Sequence, residues 1–354
     1  MLGDLLVKLD FRSLMQTDVR WLTEIANDPE AAKYALSIYP ITEYQIGEQL
    51  KKELDDSESK YIVAEHNSEP SGHVSLWWRS VGRDSHVAWV GINVRRRFWG
   101  KGVGTQLMRR IITVAKELGF HKLMLGVFEG NGRAIRLYRK FGFQNEAYEK
   151  DEVWIDGSWR KNFVMGLRLA PCKPKLRAQA LADVEEIRSR SIRNKLQVRQ
   201  LNDQDLDELN RLQNCTESTR SSFRVPPVTR EQTKQWYEGI TSERRRHCFA
   251  CFGGDRLQGY LQFRALFLPF PCLKAEEMVV DVYGKPYDTA SALVEALKGF
   301  GDRYWYRTIS AFVPQTSVPL VRVFERQCFT KTGILKNYYF IDGFYVDAPL
   351  YGYP

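Results

Sequence analysis

Positions 187 apart along this chain keep meeting residues of the same kind, and that periodicity limits what the chain can fold into. Phe11-Arg12 followed by Thr17-Asp18 returns as Val198-Arg199 followed by Gln204-Asp205, each pair opening with a strand-like run and then a helix-like one. Gly72, in Pro70-Ser71-Gly72-His73-Val74, returns as Gly259 in Leu257-Gln258-Gly259-Tyr260-Leu261, again 187 apart. Gly142-Phe143 meets Cys328-Phe329 at an offset of 186. A nearly constant offset across a whole domain predicts tandem duplication rather than two unrelated folds. The expected domains are 1–170 and 195–354, with 171–194, rich in Pro, Lys and Arg and then helix-like, as the linker.

A length of 354 residues, 44% of them apolar and 13% aromatic, suits two globular domains with full cores. No run approaches the apolar length of a membrane helix, and the segment from Met1 to Leu5 lacks the basic and apolar regions of a signal peptide, so a cytoplasmic protein is expected. All six cysteines, Cys172, Cys215, Cys248, Cys251, Cys272 and Cys328, lie beyond residue 170. Cys248 and Cys251 form a Cys-x-x-Cys inside a strand-like run, where an offset of three sends the thiols to opposite faces; buried reduced thiols are expected, not a metal site. The net charge of +9 is scattered, apart from local runs at Arg95–Arg97 and Arg244–Arg246 and a modestly basic stretch from Lys173 to Lys195. An anionic cofactor beside the first run accounts for it, and nucleic acid is not expected as a partner.

That first run opens Arg97-Phe98-Trp99-Gly100-Lys101-Gly102-Val103-Gly104-Thr105, between a strand-like run from His86 to Val94 and a helix-like run from Gln106 to Leu118. Glycines at alternate positions let backbone pass close to a ligand without Cβ clashes. The helix start leaves its first N–H groups unpaired with the positive end of the helix dipole behind them. A diphosphate fits there without any lysine being required. The spacing is neither the dinucleotide fingerprint Gly-x-Gly-x-x-Gly nor a P-loop, which ends in Gly-Lys-Ser/Thr.

This turn resembles the Arg/Gln-x-x-Gly-x-Gly/Ala motif of the GNAT acetyltransferases. A second segment, Asn131-Gly132-Arg133-Ala134-Ile135-Arg136-Leu137-Tyr138-Arg139-Lys140-Phe141-Gly142-Phe143, is similar to the family's Asn-x-x-Ala-x-x-Leu-Tyr-x-x-x-Gly-Phe helix and follows in the right order. The resemblance covers the first half of the chain. It implies α/β architecture in two tandem GNAT-type domains, each a mixed, mostly antiparallel sheet flanked by helices, with the fourth and fifth strands splayed. The periodicities agree. They predict strands at 7–12, 61–66, 72–79, 86–94 and 122–128 and helices at 18–27, 41–54, 105–118 and 133–141. A closing antiparallel pair at 144–154 and 158–169 turns at Asp156-Gly157.

The resemblance also implies a cofactor, acetyl-CoA, as co-substrate and an amine acceptor. Its pantetheine arm would pair with Ile92, Asn93 and Val94 on the fourth strand. Backbone from Trp99 through Gly100, Lys101, Gly102, Val103 and Gly104 to Thr105 would hold the diphosphate, with Arg97 and Lys101 adding charge. Tyr138 matches the family tyrosine that protonates the departing thiolate, and Asn131 would cap the helix or bond the cofactor arm. The base is open. The positions that carry a glutamate in many family members hold Trp89 and Gly126 here, leaving His86, at even spacing from Ile92, and Glu129, at the end of the fifth strand, as candidates beside a water chain. The acceptor pocket is expected between 27 and 42, with Tyr34 and Tyr39, and around Tyr148, Asp151, Glu152 and Trp154, where rings and acids suit a cationic amine. Trp77, Trp78 and Trp154 serve equally well as sheet packing.

At an offset of 186 the second copy replaces Gly100, Gly102 and Gly104 with Pro286, Asp288 and Ala290, and Tyr138 with Phe324, while Leu293 and Leu297 match Leu107 and Ile111. Pro removes an N–H, and Asp288 sets a negative charge against a diphosphate. The second domain is therefore expected to keep the fold and lose conventional acetyl-CoA binding. The expected activity is acetyl transfer to a primary amine such as an amino acid or polyamine. Acetylation of a protein amino terminus or lysine is one alternative, and a non-catalytic acetyl-CoA-responsive binding module is the other. Neither metal nor membrane is expected as a partner, and the chain is expected as a monomer with an internal pseudo-dimer or as a homodimer.

Overall fold

The computed structural model describes residues 7–34, 40–155, 157–169, 196–215, 218–222, 224–266, 272–281, 284–306 and 308–353; the expected linker falls outside them. The chain packs as two units. The first comprises Met1–Ser80, Ser85–Asn145 and Val153–Pro171, the second Val81–Asp84, Glu146–Glu152 and Cys172–Pro354.

The first unit runs β1 (Asp10–Ser13), α1 (Val19–Asn27), α2 (Pro29–Ala32), α3 (Glu43–Asp55), β2 (Ser59–His66), β3 (Glu69–Trp78), β4 (Val87–Val94), α4 (Val103–Glu117), β5 (Lys122–Phe128), α5 (Gly132–Lys140), the two ends of β6 (Gln144–Ile155), whose middle falls in the second unit, and β7 (Ser158–Arg168). Its sheet has the order β1-β2-β3-β4-β5-β7-β6, and among the described pairings only β4 with β5 is parallel. The second unit runs β8 (Leu196–Gln200), α6 (Leu206–Gln213), α7 (Arg230–Ser242), β9 (Arg246–Gly253), β10 (Arg256–Leu266), β11 (Cys272–Val280), α8 (Pro286–Arg303), β12 (Thr308–Phe312), α9 (Val318–Arg326), β13 (Thr330–Ile341) and β14 (Phe344–Tyr353). The order β8-β9-β10-β11-β12-β14-β13 repeats the first, with β11 and β12 parallel. Cys251 packs in the core under α8 and Cys248 in the core under α6 and α7, so the two thiols do face opposite ways.

The same local devices recur at the 187-residue offset. After β1, both Arg12 guanidinium Nη atoms donate to Asp18 at 2.8 Å, and Asp18 also accepts from Met15 N and Trp21 Nε1. After β8, Arg199 and Asp205 repeat the fork at 2.7 Å, with Asn202 N donating. Thr42 with Gln45 and Thr229 with Gln232 build matching capping boxes for α3 and α7. Asn27 clamps Ile41 through both backbone groups, and Asn214 clamps Val228 likewise. Burial opposes ionisation of Asp18, but the bonds from Arg12, Trp21 and Met15 outweigh it and hold the carboxyl below its ordinary 3.8. That contribution to stability is therefore present above about pH 4 and lost as pH falls through the depressed folded value. Asp18→Asn should cost about 2 kcal/mol in denaturant unfolding at pH 7 and shrink the acid sensitivity; an unchanged pH profile would contradict the pairing.

Helix α4 buries Val103, Leu107, Met108, Ile111, Val114 and Ala115, an apolar stripe at helical spacing, against the sheet. It ends where Gly119 turns left-handed (φ +81°), with Gly119 N bonding Lys116 O and Phe120 N bonding Ala115 O. Helix α5 ends the same way at Gly142, φ +89°. In the second unit Cys328 holds that left-handed position at φ +66°, with Phe329 N on Phe324 O. A side chain there carries strain that glycine lacks, so Cys328→Gly should stabilise the chain by about 0.5–1 kcal/mol, read by denaturant midpoint.

Candidate active site

Strands β4 and β5 pair only over Val87–Trp89 against Lys122–Met124. Beyond that point β4 continues to Val94 on β3 and β5 continues to Phe128 on β7. The expected splay is therefore present, and from Val90 onward one edge of β4 faces a gap instead of a strand. Such an edge presents unpaired N–H and C=O groups to any extended ligand. The end of β4 is held close to β3 by Gly72, where a Cβ would lie 2.5 Å from Asn93 O.

The chain leaves β4 through a 3₁₀ turn at Arg96–Phe98 and bends twice through the left-handed region, at Gly100 (φ +76°) and Gly102 (φ +78°), before α4 begins at Val103. Glycine is required at both bends for backbone freedom. Gly104 is required for a different reason: a Cβ there would sit 3.2 Å from Leu137 Cδ2, so the third glycine lets α4 and α5 close together. The Val103, Gly104 and Thr105 N–H groups open the helix without carbonyl partners among the described residues, as any first turn does. Trp99 closes the turn, donating Nε1 to Val94 O at 2.7 Å under the guanidinium of Arg133, 3.9 Å from the ring centre. Lys101 stands over Phe98, its Nζ 5.5 Å from the ring centre.

At the open end of the gap Asn131 caps α5, accepting from Ala134 N at 3.2 Å. Two turns on, Tyr138 is buried in the core beside Phe143. Burial alone pushes its phenol well above the ordinary 10, with neither a charge nor a hydrogen bond acting on it, so the hydroxyl keeps its proton. Glu129 shares this end. Its N–H bonds Lys161 O at 2.8 Å, and its carboxylate accepts from Lys161 N at 3.4 Å. Tyr34 reaches the same turn, donating its hydroxyl to Gly130 O at 3.2 Å.

His86 does not join them. It stands one residue before β4, where its carbonyl accepts from His121 N and Lys122 N and its ring meets that of His121. At ~3.3 Å per residue, roughly 26 Å of chain separates it from Val94, and strand alternation does not extend to it. His86, expected as a base candidate, therefore stands at the paired end of β4 and β5, away from the Gly100/Gly102 turn. Of the two aligned base positions, Gly126 lies beneath the amide of Asn162 and Trp89 opposite Trp77. Among the expected acceptor residues, Tyr39 lies outside the described residues. Glu152 belongs to the second unit, where it shares the Lys274 ammonium with Glu149, at 2.8 and 3.0 Å.

The basic run is not a free anion-binding patch. Arg97 pairs with Glu69. Arg95, buried to 8% exposure, donates to Glu24, to Glu69 at 3.0 Å and to Pro70 O at 2.9 Å. Sequence reading missed this anchor, but its mirror image was available: at the repeat offset Arg95 becomes Asp281, Glu24 becomes Arg211 and Glu69 becomes Arg256. Those three also cluster, with Asp281, 1% exposed, 3.5 Å from Arg211 and 3.2 Å from Arg256, and Arg211 donating to Leu257 O where Arg95 donates to Pro70 O. The pattern of contact is kept and every charge is reversed. The turn is not kept: α8 already begins at Pro286, the match of Gly100, with Asp288 in its first turn, and Phe324 fills the place of Tyr138 at 1% exposure.

Fold and site together define an α/β unit able to hold an extended ligand along β4 and an anion at the start of α4. Residues 22–143 match the model of the acetyltransferase (GNAT) family. The chain is 33% identical over 107 residues to the L-amino acid N-acetyltransferase AaaT of Escherichia coli, covering 30% of this chain and 66% of that protein. It is 27% identical over 154 residues to the spermidine N(1)-acetyltransferase of E. coli, 42% of this chain and 80% of the relative. It is 31% identical over 110 residues to an L-methionine sulfoximine/L-methionine sulfone acetyltransferase of Salmonella typhimurium, 30% and 64%. The chain thus spans slightly less than two thirds of the amino-acid acetyltransferases it matches. Among solved structures, a spermidine N-acetyltransferase from Vibrio cholerae in complex with CoA and spermine aligns over 46% of this chain and 95% of its own, with 24% identity and a TM-score of 0.42.

Proposed function

We propose that the first unit transfers an acetyl group from acetyl-CoA to a primary amine, an amino acid, a polyamine or a similar small amine, by direct attack in a ternary complex. The observation that carries this reading is the left-handed Gly100/Gly102 turn, with its free helix-start N–H groups, at the mouth of the β4–β5 gap. When bound, acetyl-CoA supplies an activated thioester. The Val103–Thr105 N–H groups would receive its diphosphate, and the edge of β4 at Ile92–Val94, where Trp99 already holds the Val94 carbonyl, its extended arm. Tyr138, kept protonated by burial, donates to the departing sulfur. Glu129, at the open end with Asn131, is the carboxylate best placed to accept the proton the amine loses. Tyr34 edges the acceptor side. The second unit, which we read as a duplicated copy, lacks the turn and the hydroxyl and serves a structural or acceptor-selecting role.

Thiol release from acetyl-CoA, measured against amino acids, polyamines, aminoglycosides and peptides with free amino termini, tests this. Turnover confined to one class of small amine is expected. Turnover with peptides alone would replace the small acceptor by a protein amino terminus or lysine, and tight cofactor binding without turnover on any amine would replace the enzyme by an acetyl-CoA-responsive module.

A further inference from the structure

The face of the first sheet that α4 does not cover carries a polar pair. Val90, Ile92 and Val94 on β4 pack toward α4, so Asn93 between them points to the opposite face. Its cross-strand neighbour is His73 on β3, and beyond that Val63 on β2. Asn93 is exposed, and its Nδ2 donates to His73 Nε2 at 3.3 Å. An amide nitrogen only donates, so the ring nitrogen accepts and the Asn93 carbonyl oxygen is left for another partner. The ring is held from two sides. Trp21, fixed by Asp18 through Nε1 at 2.7 Å, meets it edge to face with centres 5.8 Å apart, and Tyr61 stacks on it at 6.5 Å.

His73 Nδ1 is buried with no hydrogen-bond partner among the described residues. Burial lowers the ring to about 4 against the opposing pull of Asp18, so it stays neutral at pH 7. The second unit shows that the frame does not require such a pair. It repeats the Asp18 fork at Asp205, yet the same two cross-strand positions hold Tyr260 and Val279, both wholly buried in the core under α6 and α7. Burying an imidazole nitrogen without a partner costs stability. The polar pair occurs in the unit that has the Gly100/Gly102 turn and not in the one that lacks it. Asn93 also stands on the β4 bank of the gap, with Glu129 and Tyr34 at the end of the β5 bank opposite.

We propose that Asn93 recognises the acceptor on β4, its carbonyl oxygen receiving an N–H of the incoming primary amine, and that His73 is a positioning residue that holds this carboxamide in place. That the ligand is an amine rests on the transferase reading. An amide oxygen orients the amine without taking its proton, which leaves that step to Glu129. A neutral His73 sets no positive charge beside an amine that arrives as a cation.

Amine binding to the CoA-loaded full chain, followed by saturation-transfer NMR with L-amino acids, polyamines and peptides with free amino termini as probes, is read beside turnover. Asn93→Leu should raise the Kd and KM of the accepted amine about tenfold or more and leave the acetyl-CoA Kd within about twofold, because the arm pairs with backbone that the substitution keeps. His73→Phe keeps a ring against Trp21 and Tyr61, so it guards against a variant that fails to fold. It should raise the same constants about threefold or more on its own and not at all in the Asn93→Leu background, whereas a merely structural histidine would cost the same in both. Amine constants unchanged in Asn93→Leu, or equal effects of His73→Phe in the two backgrounds, overturn the proposal while turnover still upholds the transferase. Amine binding that Asn93→Leu weakens, in a protein that acetylates no amine, sinks the transferase reading and leaves this site standing. Neither binding nor turnover with any amine overturns both.

Discussion

Aspartate in place of Gly102 should abolish acetyl-CoA binding in a protein that still folds. Gly102 sits at φ +78° immediately before α4, so its replacement meets two costs. The backbone cost is about 1 kcal/mol, since aspartate tolerates the left-handed region better than most side chains. The larger cost is electrostatic: a carboxylate at the helix start repels the diphosphate that the free N–H groups attract. A Kd raised at least about 100-fold, near 2.7 kcal/mol, is expected by calorimetry. Gly102→Ala isolates the backbone cost and should weaken binding by less than about tenfold. Equal affinities for wild type and the aspartate variant would remove the anion cradle from the mechanism.

Tyr138→Phe should split turnover from binding. Among the described residues the hydroxyl makes no hydrogen bond, and Phe324 already fills the matched position, so stability should change by less than about 0.5 kcal/mol. If Tyr138 protonates the departing sulfur, kcat should fall about 100-fold or more while the acetyl-CoA Kd holds within about twofold. Because burial raises the phenol above its ordinary 10, its ionisation should not limit the rate anywhere below about pH 10. An unchanged kcat would return Tyr138 to a packing role.

Much of this fold was legible because its periodicities are local. β5 occupies Lys122–Phe128 as the alternation predicts, and α4 starts and stops at glycines that can be read directly. Helix α2 was missed although Asp28 caps it and Pro29 opens it, because four residues carry too little periodicity to register. His86 was chosen by alternation alone, which says nothing of distance along the strand: it stands beside His121 at the end of β4 where β4 and β5 still pair, away from the gap. The Arg95–Arg97 run was assigned to an anionic cofactor because nothing along the chain says that Glu24 and Glu69, 71 and 26 residues before Arg95, fold back onto it. Gly104 looked like part of the ligand turn, whereas its neighbour is Leu137 on another helix.

The reversed charges around Arg95 and Asp281 bear on how two like halves avoid entangling. Tethered copies meet at high local concentration while folding and are prone to exchange equivalent elements. Were α6 to dock in the first unit, Arg211 would approach Arg95; were α1 to dock in the second, Glu24 would approach Asp281. Both encounters set a like charge against a buried one, Arg95 at 8% exposure or Asp281 at 1%, and each costs the ion pair as well as adding repulsion. If the two units are duplicated copies, the inversion penalises the exchange of their equivalent helices twice, once through the lost ion pair and once through the added repulsion.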